Sequence, residues 1–288
     1  MTIWVVVAQA QKADASALLM APLHSSTRAA SGSQVASRSR FSFACNQGAP
    51  SLHRLDVELR PNLSVAVFGT NGTGVPGSYW DESFGAIIWP SSWAVADTLC
   101  SISARRGSAQ LRGLTVLELG AGTGFASLTA MWLGARVIAT DVQQVALNDA
   151  LPSAAAAATA AGAPGTLEIC QLDVLYDALP SCSLLLAADL LYVPGIADTL
   201  GAKLRHLCPE KEARCAVVIA DPGRLILDGS GRLGQTALIE AWGLNDEALG
   251  FVDTWLPVCS AKYWRLGADD LKVGLLEVGV EALCTQHT

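Results

Sequence analysis

One stretch, residues 114–141, constrains the fold of this chain more than any other part of the sequence. It opens with the apolar run 114–119, which has the length and the branched side chains typical of a buried strand. A glycine-rich turn at 120–124 leads into an apolar helical pattern, and residues 136–140 then predict a second strand that ends at Asp141. The stretch therefore predicts a βαβ unit with a first turn almost bare of side chains and a carboxylate at the tip of its second strand.

The turn of this unit has the properties of a binding site for an adenosine-bearing cofactor. Glycines at alternate positions, Gly120, Gly122 and Gly124, let the backbone turn sharply and approach a ligand closely. A carboxylate at the position of Asp141 can accept the protons of both ribose hydroxyl groups. We therefore expect the turn, which includes Ala121, and Asp141 to bind the cofactor.

The spacing of the glycines distinguishes between two classes of cofactor. A nicotinamide dinucleotide site has the pattern G-x-G-x-x-G, and the start of its helix binds a pyrophosphate. Here the pattern is G-x-G-x-G, preceded by Glu118, whose negative charge would repel a diphosphate but suits a cationic ligand. S-adenosylmethionine carries an ammonium and a sulfonium and no phosphate, so it is the predicted cofactor. The alternatives are a nicotinamide dinucleotide and a glycine-rich turn that binds no ligand.

Composition and charge limit the partners and compartments of this chain of 288 residues. A net charge of −7 provides no broad basic surface for nucleic acid, but it is compatible with a Lys- or Arg-rich protein partner. No apolar run reaches the ~18 residues that a membrane-spanning helix needs. The eight cysteines show neither C-x-x-C nor zinc spacing, which predicts reduced thiols, no metal site and an intracellular, cytoplasmic protein.

Residues 1–50 differ in composition from the rest of the chain. They are rich in Ser and Ala, and they contain four Lys or Arg residues but only one acidic residue. This composition is typical of a transit peptide to the chloroplast or mitochondrion, but a disordered tail or a gene-model extension would also account for it. Residues 51–288 are expected to form one domain, and we expect that domain to be a monomer.

The order of the predicted elements favours an α/β fold. Strand patterns at 55–59 and 63–68 precede a helix that runs from Ser91 to about Ile102, with Ser91 or Ser92 as its N-cap. After the βαβ unit, strands are predicted at 166–174, 183–188 and 216–220, helices at 143–161 (interrupted at Pro152), 196–207 and 236–242, and a final antiparallel strand pair at 251–258 and 273–280. This alternation predicts a doubly wound, Rossmann-like sheet of seven strands with an N-terminal β-hairpin and helix added to it.

The remaining candidate residues lie at strand tips, because ligands of such sheets bind beyond the carboxyl ends of the strands. Asp173 and Val174 end the third strand of the sheet, where an acid could accept the amino hydrogens of adenine, although Asp is also common in plain turns. Ala188, Asp189 and Tyr192 follow the fourth strand. Polar groups directly after an almost wholly apolar strand indicate either a functional site or a buried hydrogen-bonded pair.

Four segments of the sequence resemble one enzyme family. The run E-L-G-A-G-T-G at 118–124 resembles motif I of the seven-stranded S-adenosylmethionine methyltransferases. The run D-L-L-Y at 189–192 resembles the D-x-x-Y motif of the protein lysine methyltransferases in the methyltransferase-like group. Segments 85–92 and 220–224 resemble the G-x-x-x-W-P segment and the A-D-P-G-R strand ending of that group, and the likeness covers residues 52–280 in the correct order.

The resemblance implies a function and a set of roles. It implies methyl transfer from S-adenosylmethionine to a lysine of a protein substrate; the alternatives are a small-molecule N-methyltransferase and a non-catalytic scaffold with the same fold. Many relatives have a tryptophan beside the adenine at the position of Val174. By the resemblance, the cofactor contacts are Trp89, the 120–124 turn, Asp141 and Ala188, and the residues that face the substrate amine are Asp189 and Tyr192.

Overall fold

The computed structural model describes residues 52–60, 63–69, 85–107, 110–207, 215–244, 250–255 and 272–285. The predictions made for residues 1–50 lie outside these ranges, as does part of the predicted strand at 251–258. Within the ranges, no helix combines the length and the apolar character that crossing a bilayer requires.

The described residues form strands and helices in the alternating order that the sequence predicts. The strands are β1 His53–Arg60, β2 Leu63–Gly69, β3 Thr115–Leu119, β4 Arg136–Asp141, β5 Thr166–Gln171, β6 Leu184–Ala188, β7 Ala216–Asp221, β8 Val252–Trp255 and β9 Lys272–Val278. The helices are α1 Pro90–Arg105, α2 Phe125–Trp132, α3 Leu151–Ala160, α4 Ile196–Leu207, α5 Gly234–Trp242 and α6 Val280–Thr285.

Seven strands form one sheet in the order β5-β4-β3-β6-β7-β9-β8. Neighbouring strands from β5 to β7 pair in parallel, whereas β9 is antiparallel to both β7 and β8. The predicted α/β, Rossmann-like sheet of seven strands is therefore confirmed, as is the antiparallel pairing of its last two strands. The chain order reverses between β3 and β6, and ligands of open α/β sheets bind at that point, beyond the carboxyl ends of the strands.

Helices cover both faces of the sheet and bury its strands. On one face, Leu200 of α4 and Leu238 of α5 are fully buried in a cluster with Leu185 and Val217 of the sheet. On the other face, α1 contacts α2, and the rings of Trp93 and Phe125 lie 4.9 Å apart between centroids at an angle of 49°. Strands β3, β6 and β7 are apolar throughout except at Thr115, Glu118 and Asp221 because both faces of the sheet are covered.

The predicted N-terminal hairpin is present as a separate two-stranded sheet. Strands β1 and β2 pair antiparallel, with His53 opposite Gly69. Strand β2 packs against α2 and α3, so the hairpin extends the helical layer beside the glycine turn.

Two predictions about helix ends need correction, and both concern proline. Helix α1 begins at Pro90 with Trp89 as its N-cap, so the predicted cap at Ser91 or Ser92 is wrong. Proline is favoured in the first turn because its missing N–H has no partner there, and it keeps the preceding residue extended. Pro152 also lies in a first helical turn, that of α3, and a π-helical turn at Ala146–Ala150 leads directly into it. The chain therefore stays helical where an interruption was predicted.

Candidate active site

The glycine turn between β3 and α2 adopts backbone conformations that require glycine. Gly120, Gly122 and Gly124 have φ angles of +66°, +54° and +77°. A Cβ atom at Gly120 would lie 2.5 Å from Cδ2 of Leu190, and one at Gly122 would lie 3.2 Å from the carbonyl oxygen of Gly85. The structure therefore places the turn between the segment after β6 and the segment that precedes α1.

Asp141 is buried at the tip of β4 and stabilises this turn. Its Oδ2 accepts a hydrogen bond from the Gly122 N–H at 2.8 Å, and its Oδ1 accepts from the N–H groups of Val142 and Gln143 at 2.7 and 2.8 Å. Burial raises the pKa of Asp141, and these backbone hydrogen bonds oppose the rise. A carboxylate has about four acceptor positions, so one position remains, on Oδ2.

Gln143 was not predicted as a site residue. Its buried Oε1 has no hydrogen-bond partner among the described residues, and a Cβ atom at Gly85 would lie 2.3 Å from it. A buried acceptor without a partner is costly unless a ligand satisfies it. The available signal was its position, two residues beyond Asp141 at the same strand tip.

Glu118 lies in the interior rather than at the surface of the turn. Only 1% of the residue is exposed, and its Oε2 accepts a hydrogen bond from the Ser127 hydroxyl on α2. Burial raises the pKa of Glu118 from 4.5 to about 7. The full negative charge expected from the sequence is therefore present only above neutral pH.

We expect Glu118→Gln to stabilise the protein at pH 8 but not at pH 4.5. Because the folded state binds the Glu118 proton more tightly, wild-type stability falls as the pH rises from 4.5 to about 7. The glutamine variant does not undergo this loss of stability. At ~1.4 kcal/mol per pKa unit the shift sets an upper limit of about 3.5 kcal/mol, and solvent relaxation reduces the expected difference to the order of 2 kcal/mol. Thermal unfolding of both proteins at the two pH values measures the difference. Glu168→Gln, at an exposed position, is the matched control, and an equal gain at both pH values would contradict the prediction.

Asp173 and Val174 lie just after β5, which ends at Gln171, so the strand predicted at 166–174 is three residues too long. The Asp173 Oδ1 accepts a hydrogen bond from the Leu175 N–H at 2.9 Å, and its carbonyl oxygen accepts from the Asp177 N–H at 2.8 Å. Val174 is buried beside it. Asp173 thus stabilises a turn, and the adenine contacts of both residues stay predictions.

Asp189 occupies an unusual position directly after Ala188 at the end of β6. It is one of two non-glycine residues with positive φ in the described ranges, at +56°. Its side chain is 2% exposed, and its Oδ2 accepts a hydrogen bond from Nη2 of Arg224 at 3.0 Å. Its Oδ1 has no hydrogen-bond partner within the part of the chain that the structure describes. Burial raises the pKa of Asp189, and the charge of Arg224 opposes the rise.

Arg224 joins Asp189 to two aromatic rings. Its Cζ lies 5.2 Å from the centroid of the Trp89 ring and 5.3 Å from that of Tyr192. We refer to Trp89, Asp189, Tyr192 and Arg224 as the Asp189 cluster. Trp89, Asp189 and Tyr192 were predicted as site residues, and the structure brings them together. Arg224, which contacts all three, was not predicted.

Asp221, also unpredicted, ends β7 beside the Asp189 cluster. Its Oδ1 accepts a hydrogen bond from the Gly223 N–H at 2.8 Å, and its Oδ2 has no partner among the described residues. Burial and then the charge of Asp189 raise its pKa to about 6. The signal for both missed residues was the segment 220–224, whose A-D-P-G-R sequence was interpreted only as a strand ending.

A family model described as "Lysine methyltransferase" matches residues 77–221, which are 145 of the 288 residues of the chain. The chain belongs to this lysine methyltransferase family. The match covers the glycine turn, Asp141, the D-L-L-Y segment and Asp221.

Individual relatives of this lysine methyltransferase family member match smaller parts of the chain. Protein-lysine methyltransferase METTL21E of Bos taurus is 32% identical over 135 residues, 45% of this chain and 45% of the relative. The Mus musculus protein of the same name is 40% identical over 68 residues, 23% of this chain and 26% of the relative. The chain thus spans less than half the length of the curated relatives that it matches.

A solved structure with a similar chain path is the magnesium protoporphyrin IX methyltransferase (ChlM) from Synechocystis PCC 6803 with bound SAH. It is 15% identical, with a TM-score of 0.42, over 65% of this chain and 82% of ChlM. As for metals, none of the described residues form a group of three or more His, Cys, Asp or Glu side chains that could hold an ion.

Proposed function

We propose that this lysine methyltransferase family member transfers a methyl group from S-adenosylmethionine to the side-chain amine of a lysine in a protein substrate. One observation carries the proposal: Asp189, a buried carboxylate with one oxygen that has no partner among the described residues, lies with Trp89 and Tyr192 at the end of the sheet that carries the glycine turn. Membership of the lysine methyltransferase family supports the same conclusion.

The residues at this edge fit S-adenosylmethionine. The positive-φ glycines keep side chains away from the ligand path, and Asp141 retains one acceptor position for a ribose hydroxyl. Oε1 of Gln143, which has no partner among the described residues, adds a further acceptor beside Gly85. We assign the lining of the cofactor site to Trp89, Gly120, Ala121, Gly122, Gly124, Asp141, Gln143, Asp173, Val174 and Ala188, with the buried Glu118 behind the glycine turn.

The substrate amine must be neutral to react, although a free lysine, with a pKa near 10.4, is neutral in fewer than ~0.1% of molecules at pH 7. When bound, S-adenosylmethionine would supply a sulfonium methyl group to the neutral amine, whose proton would already have passed to water, and the thioether of the spent cofactor would be the leaving group. Asp189 uses its free Oδ1 to accept an amine N–H and so directs the lone pair, and the ring of Tyr192 limits the approach. Such alignment contributes several kcal/mol, within an upper limit of ~7–11 kcal/mol.

The experiment that tests the proposal uses cofactor with a labelled methyl group and a methyl-depleted protein lysate. We expect a discrete labelled protein band, with the label recovered as methyl-lysine after hydrolysis, and no band with Asp189→Asn. Label in a soluble metabolite would instead indicate a small-molecule N-methyltransferase. Absence of both label and cofactor binding would indicate a non-catalytic scaffold, and either result overturns the proposal.

A further inference from the structure

Arg224 places a permanent positive charge beside the carboxylate that is assigned to the substrate. The guanidinium does not lose its proton in proteins, and the Arg224 side chain is only 18% exposed. It bonds Oδ2 of Asp189, which leaves Oδ1 as the unpartnered oxygen in the described part of the site. One oxygen of the carboxylate therefore serves Arg224 and the other is available to a ligand.

Asp189 without a counter-charge would work against methyl transfer. A buried carboxylate attracts a lysine ammonium strongly, and it stabilises the protonated form that has no lone pair to donate. The substrate would then bind tightly in its unreactive state. A fixed cation next to the carboxylate removes this preference while the carboxylate oxygen still accepts a hydrogen bond.

We propose that Arg224 is a positioning residue that neutralises Asp189, so that Asp189 orients the substrate amine without trapping it as the ammonium. The inference rests on the proposed function and extends it to a residue that touches the substrate only through Asp189. The family model matches residues 77–221 and does not reach Arg224.

The backbone around Arg224 holds its side chain in this position. Gly223, at φ +75°, turns the chain and donates its N–H to Asp221 at the end of β7. The Arg224 carbonyl oxygen accepts a hydrogen bond from the Gly234 N–H, at the start of α5, at 3.1 Å. The Arg224 guanidinium also lies against the Trp89 ring, a cation–π contact that stabilises a desolvated charge. Arg224 is thus fixed at its backbone and at its charged end.

Two charged groups in the described part of the chain interact electrostatically with Asp189, namely Arg224 and Asp221, and the Tyr192 ring contacts the Arg224 guanidinium. Asp221 is the important one for pH dependence, because its pKa of about 6 makes it mostly ionised above pH 7. Among the groups that the structure describes, the Arg224 guanidinium is the cation that acts on both carboxylates, and its loss would leave both without a described counter-charge. The effect of removing Arg224 should therefore be large near neutral pH.

The first test measures cation binding and needs no identified substrate. The probe is n-butylammonium, which is the lysine side chain without its backbone, titrated calorimetrically into the full chain at pH 7.5. We expect Arg224→Gln to bind it at least ten-fold more tightly than wild type, and Arg224→Lys to resemble wild type. In the Arg224→Gln, Asp189→Asn double variant the gain should disappear. Equal binding by wild type and Arg224→Gln, or no detectable binding by either, overturns the proposal.

The second test uses the protein that the lysate experiment labels, purified and varied in concentration from below KM to saturation. For Arg224→Gln we expect kcat and KM at pH 7.5 to fall together by at least ten-fold, because tight binding of the ammonium lowers both and leaves kcat/KM nearly unchanged. The rise of kcat with pH should move up by at least one pH unit, and Arg224→Lys should restore the wild-type profile.

Two outcomes of the second test contradict the inference. A higher kcat in Arg224→Gln would mean that Arg224 blocks the substrate position. An equal fall in kcat at every pH, without rescue by Arg224→Lys, would mean a purely structural role. Labelling of a protein by the wild-type enzyme tests the proposed function separately, so the two failures are distinguishable.

Discussion

Asp189→Asn is expected to slow methyl transfer by about 10²- to 10⁴-fold, because the alignment that Asp189 provides contributes several kcal/mol and ~1.4 kcal/mol corresponds to a ten-fold change in rate. Asparagine has the shape of aspartate and tolerates the φ of +56° at this position, so the backbone after β6 should be kept. It lacks the charge that pairs with Arg224 and the second acceptor oxygen that is assigned to the amine. Affinity for S-adenosylmethionine, measured by calorimetry, should stay within a few fold, while the rate of label transfer falls.

The control for this variant is Asp198→Asn, the same substitution at an exposed position on α4 that is paired with Arg232. Its transfer rate should equal that of wild type. If Asp189→Asn loses cofactor affinity and turnover in the same proportion, Asp189 acts on the cofactor and the division of roles is wrong. Alanine is a poorer choice than asparagine here because it adds strain at positive φ.

The fold was largely predictable because its signals are local. Helix α4 was predicted at its observed bounds, 196–207, since its apolar residues repeat at helical spacing and face the sheet. The wholly apolar run of β6 indicated a strand covered on both faces. The errors at Ser91 and Pro152 arose where two local rules compete, capping by a hydroxyl against the fixed geometry of proline. Sequence patterns alone do not rank such competing rules.

The candidate site was predictable only where strand tips converge. Asp141 and Asp189 follow strands on either side of β3, so a parallel sheet brings them to one edge wherever they occur in the sequence. The burial of Glu118 could not be predicted from its strand. A strand that is covered on both faces lacks the alternation of apolar and polar residues that would identify an exposed face. Asp221 and Arg224 lie in a segment whose Asp, Pro and Gly residues are typical of a turn. The segment was therefore interpreted as a turn, and the contact of Arg224 with Asp189 was not predicted.

Asp141→Ala is expected to abolish measurable cofactor binding and to destabilise the domain. The substitution removes the acceptor of three backbone N–H groups, those of Gly122, Val142 and Gln143. Each buried N–H without a partner costs about 1–3 kcal/mol, and water can reach the half-exposed Val142, so a total of roughly 2–4 kcal/mol is expected. The substitution also removes the hydrogen bond that holds the glycine turn at Gly122. The cofactor would therefore lose both the acceptor for its ribose and the ordered backbone of the turn. Urea unfolding and calorimetric titration measure the two effects.

Asp141→Asn separates the two effects of the alanine variant. The asparagine oxygen can still accept hydrogen bonds from the N–H groups of Val142 and Gln143. Its NH₂ group then lies opposite the Gly122 N–H, and two donors cannot form a hydrogen bond. We expect about half of the stability loss and nearly all of the affinity loss, since the remaining ribose position is on the oxygen that is replaced. Asp228→Ala removes an exposed carboxylate that accepts the Ser230 N–H at 2.8 Å, and should change neither property. Wild-type cofactor affinity in a folded Asp141→Asn protein would show that this carboxylate supports the turn but does not bind the sugar.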